Sequence, residues 1–466
     1  MKRPWPVQLW HAVREERNGK MTDDLFERAP VPKAYFKLAL PVVFSMVISL
    51  VYNMVDTFFI ARTQNTSIVA GVSLCAPVFT LMIALGDIFG LGGSSVISRL
   101  FGQKKDGEGK KVSGFCFYAA ILCGAAVSVS MLLFRTPILH LLGAGKDTWE
   151  YASQYYTYMA LGAPAVILSL TPGNLMRTEG LAVEAMIGTV VGSVVNIILD
   201  PVFIFGLGMG AGGAAIATVL GNLVTDIILV CFVLKKSRKL TLSIHISGVK
   251  KQDLLAVFAI GIPASVTNLM QSLGMALMNR YLVQYGTEKV AAMGIAMKVN
   301  MIVMLIMVGF AFGAQPLIGY NYGAENRERL RKIIRFDLCV ELVFSVVCAG
   351  LLALCAPQIM GIFMKDAGII ASGSLMLRCL LVSMPCAGVI LVFTTVFQAA
   401  GKALPALVLS VSRQGVVFAL CIFILSRLAG YYGIIASQAA ADVLTAVIAV
   451  ILYMQTQIAE KKLSLP

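Results

Sequence analysis

Charged residues are scarce in this sequence. Of 466 residues, only 13% are Asp, Glu, Lys or Arg, where a soluble domain carries roughly 25%. Hydrophobic residues make up 58%. Windows without any charge are longer than the roughly 20 residues that a membrane helix needs; they are 112–134, 151–176, 254–279, 342–364 and 379–401. This shortage of charge excludes an ordinary soluble domain and predicts an integral membrane protein.

Motifs for catalysis, metal binding and nucleic-acid binding are also missing. The sequence has three His and ten Cys, with no CxxC, HExxH or GxSxG pattern, so we expect neither an enzyme nor a metal site nor a cofactor. Despite a net charge of +14, no basic stripe with interleaved aromatics indicates nucleic acid. The cysteines are interpreted as small packing residues.

The N-terminal region lacks the apolar core of a secretory signal peptide. The first membrane helix is therefore expected to direct insertion.

Charges and Gly/Pro breaks divide the chain into twelve predicted spans. They are 35–61, 66–98, 112–134, 151–176, 183–206, 212–234, 254–284, 288–317, 333–356, 372–400, 403–426 and 432–457. With the N-terminus inside, 28 Lys and Arg fall on the cytoplasmic side and 8 on the external side. By the positive-inside rule, this asymmetry predicts cytoplasmic N- and C-termini.

An internal repeat relates the two halves of the chain. Helix breakers recur at offsets of 220 to 222 residues; the pairs are Pro41 and Pro263, Gly92 and Gly313, Gly102 and Gly323, Pro164 and Pro385, Gly180 and Gly401, and Gly213 and Gly433. An even number of spans per half makes the repeats parallel. The fold class predicted is an all-α membrane protein of two parallel six-helix lobes around a central cavity, an architecture typical of carriers.

The predicted domains follow from this repeat. They are a cytoplasmic arm (1–34), an N-lobe (35–236), a cytoplasmic linker (237–252), a C-lobe (253–457) and a cytoplasmic tail (458–466).

Ionisable residues inside the spans do not follow the repeat. The first half carries four acids, Asp56, Asp87, Asp200 and Asp226, and the approximate counterparts in the second half are Met278, Val308, Leu420 and Ala446. The second half instead contains Lys298, Arg413 and Asp442. A charge in the middle of a span costs about 2.5–3.5 kcal/mol, so each needs a partner or a wet cavity. The acids of the first half are therefore candidates for function.

Asp200 and Asp56 are the best placed of these acids. Asn196 lies one helical turn before Asp200, where its amide is expected to donate to the carboxylate, and Pro201 removes a backbone donor next to it. Pro41 offers a kink in the helix that carries Asp56. Two carboxylates in one low-dielectric lobe disfavour each other's ionised form, which suits them to take up and release a proton.

Two further acids, Asp337 and Glu341, follow the basic stretch "NRERLRKIIR". We expect them to face the cytoplasm.

Four segments together resemble the multidrug and toxic compound extrusion (MATE) family of transporters. They are "LALPVVFSMVISLVYNMVDTFFIAR", "NIILDPVFIFGLGMGAGGAAIATVLGN", "GFAFGAQPLIGYNYGAENRERLRK" and "VFQAAGKALPALVLSVSRQ". The set is most similar to bacterial subgroups with an acidic N-lobe, and this resemblance implies a location in the bacterial cytoplasmic (inner) membrane. Members of the family usually begin with a short arm like "MTDDLFERAP", so the resemblance also implies that Met21 is the natural start and that residues 1–20 are a dispensable extension. The sodium-coupled type also uses acids in the seventh and tenth helices, which this chain lacks, so the resemblance does not extend to a C-lobe sodium site.

The resemblance implies an ion-coupling site and a hinge. The coupling residues are Asp56, Asn196, Asp200, Thr218 and Tyr155, the last crowded by Tyr156 and Tyr158, and the bending proline is Pro41. Further polar residues that could line the cavity are Asn53, Asp87, Asp226, Lys298 and Arg413.

The function that the resemblance implies is secondary antiport. Organic cations or other amphipathic compounds would leave in exchange for protons, or for sodium. The expected partners are membrane lipid and a small-molecule substrate, and the expected state is a monomer. The alternative is a flippase for lipid-linked saccharides, which shares the fold; it would be expected to have a more cationic cavity and often extra helices.

Overall fold

The computed structural model describes residues 24–243, 248–363 and 365–463, and all regular elements within them are helices. The first half contains α1 (Val31–Arg62), α2 (Thr66–Leu74), α3 (Ala76–Gly102), α4 (Asp106–Leu133), α5 (Arg135–Leu141), α6 (Trp149–Thr178), α7 (Ala182–Pro201) and α8 (Gly210–Lys236). A π-helical turn, Val202–Gly206, extends α7. The predicted start at Met21 lies outside the described residues.

The second half repeats this order. It contains α9 (Lys251–Leu282), α10 (Thr287–Gly323), α11 (Arg327–Leu354), α12 (Ala356–Phe363), α13 (Ala367–Val382), α14 (Met384–Ala400), α15 (Ala403–Val411) and α16 (Val417–Leu463). A 3-10 turn, Val283–Tyr285, follows α9, and a π-helical turn, Ser412–Val416, joins α15 to α16.

Twelve crossings result from these helices. Ten helical segments of the described chain are long and apolar enough to span a membrane. The α13 and α14 helices, bent by 41° at their junction, together form an eleventh span. The segment Ala403–Ala459 has 57 residues, far more than one crossing needs, and it breaks at Gly430, whose φ of 55° and ψ of −126° are not helical. Dividing this segment at Gly430 gives the twelfth membrane crossing and confirms the predicted number of spans.

Helix ends repeat between the halves as closely as the breakers do. The helices α5 and α12 begin 221 residues apart, at Arg135 and Ala356. The same offset separates the starts of α7 and α15, at Ala182 and Ala403. The short helices α5 and α12 were not among the predicted spans, because seven or eight residues are too few to stand out as a crossing.

The lobes pack together at one face of the membrane. We call this the terminal face; α1 and α9 begin there, and α3 and α10 end there. A Cβ atom added to Gly313 of α10 would lie 2.3 Å from the Cα of Ala39, and one added to Gly261 of α9 would lie 2.2 Å from the carbonyl oxygen of Ile88. Such backbone approach is possible only for glycine. The helices of the two lobes are therefore in direct backbone contact near this face.

Burial along α1 shows where that contact ends. Apart from Ile60, its buried residues lie between Ala34 and Ser45, and none of the residues 46–59 is buried. Likewise, α10 is almost continuously buried from Gly309 to Asn321. The lobes are thus packed at the terminal face and diverge towards the opposite face.

A short segment before α1 bridges the two lobes at the terminal face. In residues 24–29, which we call the strap, Phe26 is buried and its carbonyl accepts a hydrogen bond from Arg329 Nε of α11 at 2.8 Å. Glu27 accepts from Tyr320 Oη of α10 at 2.6 Å and pairs with Lys104, which follows α3. The strap therefore ties the end of α3 to α10 and α11.

Candidate functional site

Asp200 lies at the end of α7, where the helix changes to a π-helical turn directly after Pro201. Because proline has no N–H, it cannot continue the regular hydrogen-bond ladder. The side chain of Asp200 is 0% exposed, and neither carboxylate oxygen has a hydrogen-bond partner. A buried carboxylate without donors is strongly disfavoured in its charged form, so this position is suited to bind a proton.

Asp56 approaches Asp200 from α1. The two carboxylates are close enough to interact electrostatically, and both also act on the hydroxyls of Tyr52 and Tyr155. Asp56 Oδ1 is buried without a hydrogen-bond partner. Two acids and two tyrosines from α1, α6 and α7 thus form one cluster inside the first lobe.

Asn196 and Thr218 complete the cluster in a way that differs from expectation. Asn196 Nδ2 donates to Thr218 Oγ1 of α8 at 3.4 Å, and its Oδ1 has no partner. The prediction that this amide donates to Asp200 is wrong for this conformation, because the amide is turned across to α8. The carboxylate of Asp200 is consequently left without a donor.

Of three neighbouring tyrosines in α6, Tyr155 is the one that the fold brings to the acids. Tyr156 instead donates to the Met131 carbonyl at 3.0 Å, and Tyr158 packs over Gly212. Tyr52 was missed by the sequence reasoning. Its position four residues before Asp56, hence on the same helix face, was the available signal.

Pro41 lies inside an uninterrupted α1, and its carbonyl accepts a hydrogen bond from Ser45 Oγ at 2.9 Å. On the outer side of the helix, the proline borders an apolar groove lined by Leu40, Pro41, Val43, Phe44, Val47 and Met186. Since α1 carries both Pro41 and Asp56, bending at the proline would move the acid.

Asp87 does not join the cluster but connects the lobes. Its Oδ2 accepts a hydrogen bond from Asn268 Nδ2 of α9 at 3.1 Å. Arg177, which donates to Asn174 Oδ1 at 3.0 Å, acts electrostatically on the same carboxylate. A polar contact therefore crosses the lobe interface between α3 and α9.

Other predicted cavity residues are placed apart from the cluster. Asp226 is buried in α8, with both oxygens unpartnered. Asn53 is exposed and donates to the Ser49 carbonyl at 2.7 Å, and Lys298 is exposed on α10.

Arg413 is held inside the second lobe. Its Nε donates to Asp442 Oδ1 at 3.0 Å. Asp442 also accepts hydrogen bonds from Ser383 Oγ at 2.9 Å and from Gln438 Nε2 at 3.1 Å. This satisfied ion pair stabilises the C-lobe and leaves no free charge for a ligand.

The expectation that Asp337 and Glu341 face the cytoplasm is wrong. Both side chains are 0% exposed. The reason is that α11 begins at Arg327 rather than at residue 333, so its basic residues belong to the first turns of the helix. Both acids therefore lie deeper along the helix than predicted.

Metal-ligand groups do not accompany the acids. Among residues 24–243, 248–363 and 365–463, no cluster of three or more His, Cys, Asp or Glu could hold a metal ion. The acidic cluster of the first lobe instead combines two carboxylates with neutral hydroxyls and an amide, a set that can bind a proton or attract an organic cation.

Comparisons with known proteins agree with this architecture. The MatE family model matches residues 41–202 and 263–423, once in each half. Multidrug export protein MepA of Staphylococcus saprophyticus is 31% identical over 427 residues, which cover 92% of this chain and 94% of the relative. MepA of Staphylococcus aureus strain NCTC 8325 matches with the same identity and coverage.

Solved structures match over nearly the whole chain. A multidrug resistance MATE family transporter of the MOP superfamily, solved in an outward-facing conformation, has a TM-score of 0.89 at 25% identity and covers 94% of this chain and 98% of its own. A mutant of the Vibrio cholerae MATE transporter VcmN matches in fold, with a TM-score of 0.87 at 22% identity and the same coverage.

Proposed function

Since the chain belongs to the MatE family, whose members are transporters and not enzymes, we propose that it is a secondary antiporter that exports organic cations or other amphipathic compounds in exchange for protons. The observation that carries the proposal is a pair of neighbouring acids in the first lobe of a two-lobe carrier: Asp200, which is fully buried, and Asp56, which has a buried and unpartnered carboxylate oxygen. No cofactor is required.

The asymmetry between the lobes supports a role in coupling. Met278 and Leu420 are the approximate counterparts of Asp56 and Asp200 in the second half, and Leu420 is followed by Cys421, which is buried and stands at the 221-residue offset of α7 and α15. Since the scaffold forms with uncharged residues there, packing does not explain the acids. Intramembrane carboxylates of this kind mark ion pathways by default.

The packing of the lobes supports alternating access. They are joined at the terminal face and diverge at the opposite face. With cytoplasmic termini, as the distribution of Lys and Arg predicts, this conformation faces outward. A central cavity that is open to one side at a time is the basis of coupled transport.

The mechanism follows from the charge of the acidic cluster. Protonation of Asp56 and Asp200 removes negative charge from the first lobe, lets α1 bend at Pro41 and releases the substrate outside. Loss of the protons towards the cytoplasm restores an anionic cavity that attracts the next cation. Proton and substrate must bias the same two conformations, because only differential affinity shifts an equilibrium.

Transport into proteoliposomes tests this function. Ethidium, a fluorescent aromatic cation, serves as the probe, and pH and sodium gradients are imposed independently across the membrane. Wild-type protein is expected to move ethidium against its gradient when a pH gradient alone is present. Asp56→Asn and Asp200→Asn are each expected to reduce this movement at least tenfold.

Asp147→Asn provides the matched control, since it makes the same chemical change at an exposed loop residue, and it should transport like wild type. Transport by both cluster variants at the wild-type rate contradicts the proposal. Movement that requires sodium and ignores pH contradicts proton coupling but leaves antiport intact.

A further inference from the structure

A second acid pair lies inside the membrane, away from the first-lobe cluster. Asp337 and Glu341 are one turn apart on α11 and are both fully buried. Tyr35 of α1 donates its hydroxyl to Asp337 Oδ1 at 2.7 Å. This hydrogen bond connects the helix that carries Asp56 and Pro41 to a helix of the second lobe.

Most of the oxygens in this pair have no partner. Asp337 Oδ2 and both oxygens of Glu341 are buried without a side-chain donor, and the only donor placed beside Glu341 in the described residues is the backbone N–H of Ala311 in α10, too poorly aligned to satisfy the carboxylate. No salt bridge to either carboxylate occurs in the described parts of the chain. Two adjacent carboxylates cannot both stay ionised in such a place, because desolvation and mutual repulsion oppose it. The pair therefore has to carry a proton or another cation.

Among the residues that the structure describes, no basic side chain supplies a counter-charge to the pair. Rings of Phe310 and Phe336 contact Tyr35, and Gly388 of α14 lies beside the Cβ of Glu341. The ionisable group that faces the pair from α1 is Tyr35.

Basic residues on neighbouring helices point elsewhere. Arg378 of α13 donates to the Ala353 carbonyl near the far end of α11, and Lys298 of α10 is exposed. Of the cysteines on the helices packed against α11, Cys379 and Cys386 are half-buried and free.

The fold does not require these acids. At the repeat offset, Cys116 and Ala120 of α4 stand where Asp337 and Glu341 stand in α11, and Val257 of α9 stands where Tyr35 stands in α1. All three are buried. The same scaffold position is thus apolar in one half and acidic in the other.

We propose that Asp337 and Glu341 form a second proton-binding site, located where α1 of the first lobe packs against α11 of the second lobe. This inference rests on the proposed alternating access. In the present conformation the contact between α1 and α11 is closed, the Asp337–Glu341 pair holds a proton, and the Tyr35 hydroxyl donates to Asp337. Opening of the terminal face would separate Tyr35 from Asp337, admit water, and break the carboxyl O–H bond so that the proton passes to water. Proton release would then accompany opening.

Infrared spectroscopy of the purified protein in detergent tests the site directly, because a protonated carboxyl absorbs apart from carboxylates and amides. We expect a protonated-carboxyl band at neutral pH that loses intensity in Asp337→Asn and in Glu341→Gln. Glu325→Gln, at an exposed residue, is the matched control and should leave the band unchanged. The part of the band that is lost in Asp337→Asn and Glu341→Gln should persist in the Asp56→Asn/Asp200→Asn variant. This result would distinguish the second site from the first-lobe cluster.

Tyr35→Phe provides a second variant that keeps the ring and removes the hydroxyl. The frequency of the band is expected to shift in this variant, since the hydrogen bond to Asp337 is lost. A band that is unchanged in all three variants overturns the inference, even if the first-lobe acids prove essential for transport. A band that disappears when sodium chloride replaces choline chloride at constant pH overturns the identification of the ligand as a proton.

Discussion

Asp200 is a residue for which stability and function are expected to conflict. Its two carboxylate oxygens are buried without partners, and an unsatisfied buried polar group costs about 1–3 kcal/mol. Uncharged residues, the approximate counterpart Leu420 and the buried Cys421 beside it, occupy this position in the second half. The residue therefore destabilises its own helix and is retained for another reason.

We predict that Asp200→Leu stabilises the protein while abolishing proton-driven ethidium transport. The free energy of unfolding should rise by about 1–3 kcal/mol, because the unpaired carboxylate is removed. Thermal unfolding in detergent, followed by circular dichroism, measures the change. A variant that is less stable than wild type would show that Asp200 has partners in the folded protein that this conformation lacks.

Arg413 and Asp442 are predicted to behave in the opposite way. Arg413→Met leaves Asp442 buried without its cation, and breaking a buried pair in this way costs about 3–5 kcal/mol. The double variant Arg413→Met/Asp442→Leu should recover most of the loss, since no uncompensated charge remains. Unfolding temperatures of the three proteins provide the test. Equal stability of the single and double variants would contradict the assignment of a structural ion pair.

Sequence and structure agree well for elements and less well for single side chains. Charge-free windows and the repeat predicted the crossings because a bilayer imposes length and polarity on every span. The depth of Asp337 could not be predicted, because it depends on where α11 begins. Starting at Arg327 places Asp337 about 15 Å into the helix at 1.5 Å per residue. The turn of the Asn196 amide towards Thr218 is likewise set by packing between helices.

At the scale of elements, α1 is expected to act as the moving part of the first lobe. Pro41→Ala restores a backbone donor and should stiffen the helix. We predict that ethidium binding stays within about threefold of wild type while transport slows at least tenfold. Pro263→Ala makes the same change in α9, which carries no acid of the cluster, and should have the smaller effect. Equal effects of the two substitutions would argue against a special role for α1.

The strap offers a pH-dependent prediction at the terminal face. Burial raises the pKa of Glu27, but hydrogen bonds from Lys104 and Tyr320 outweigh it and hold the pKa below its usual range. A carboxylate with a lowered pKa stabilises its contacts above its unfolded pKa, and that contribution is lost as the pH falls through the folded pKa. Strap docking should therefore be unchanged between about pH 8 and 5 and weaken below about pH 4.

Hydrogen–deuterium exchange of a peptide covering residues 24–38 checks this. We expect Glu27→Gln to exchange faster than wild type already at neutral pH, and Glu328→Gln, at an exposed acid that pairs with Lys332 within α11, to match wild type. Exchange in the Glu27 variant that equals wild type would show that the strap is held by Phe26 alone.

For the whole molecule, we expect the packed glycines of the terminal face to favour the conformation in which this face is closed. A Cβ at Gly313 would collide with the backbone at Ala39, so Gly313→Ala should shift the protein towards opening at this face. Backbone amides of α1 near Ala39 should then exchange faster. Gly350→Ala is the control, because a Cβ added at Gly350 would meet no atom of a neighbouring element within 4 Å. Unchanged exchange at α1 would mean that the lobes can adjust without separating.

The central claim is that cation and proton compete for the acidic cluster of the first lobe, and proton release on binding measures this competition directly. Ethidium is added to purified protein in weakly buffered solution, and released protons are counted with a pH-sensitive dye. Wild-type protein and Asp147→Asn should release protons in proportion to bound ethidium, and the Asp56→Asn/Asp200→Asn variant should release few or none. Ethidium binding without proton release by the wild type, or equal release by the double variant, would contradict the claim.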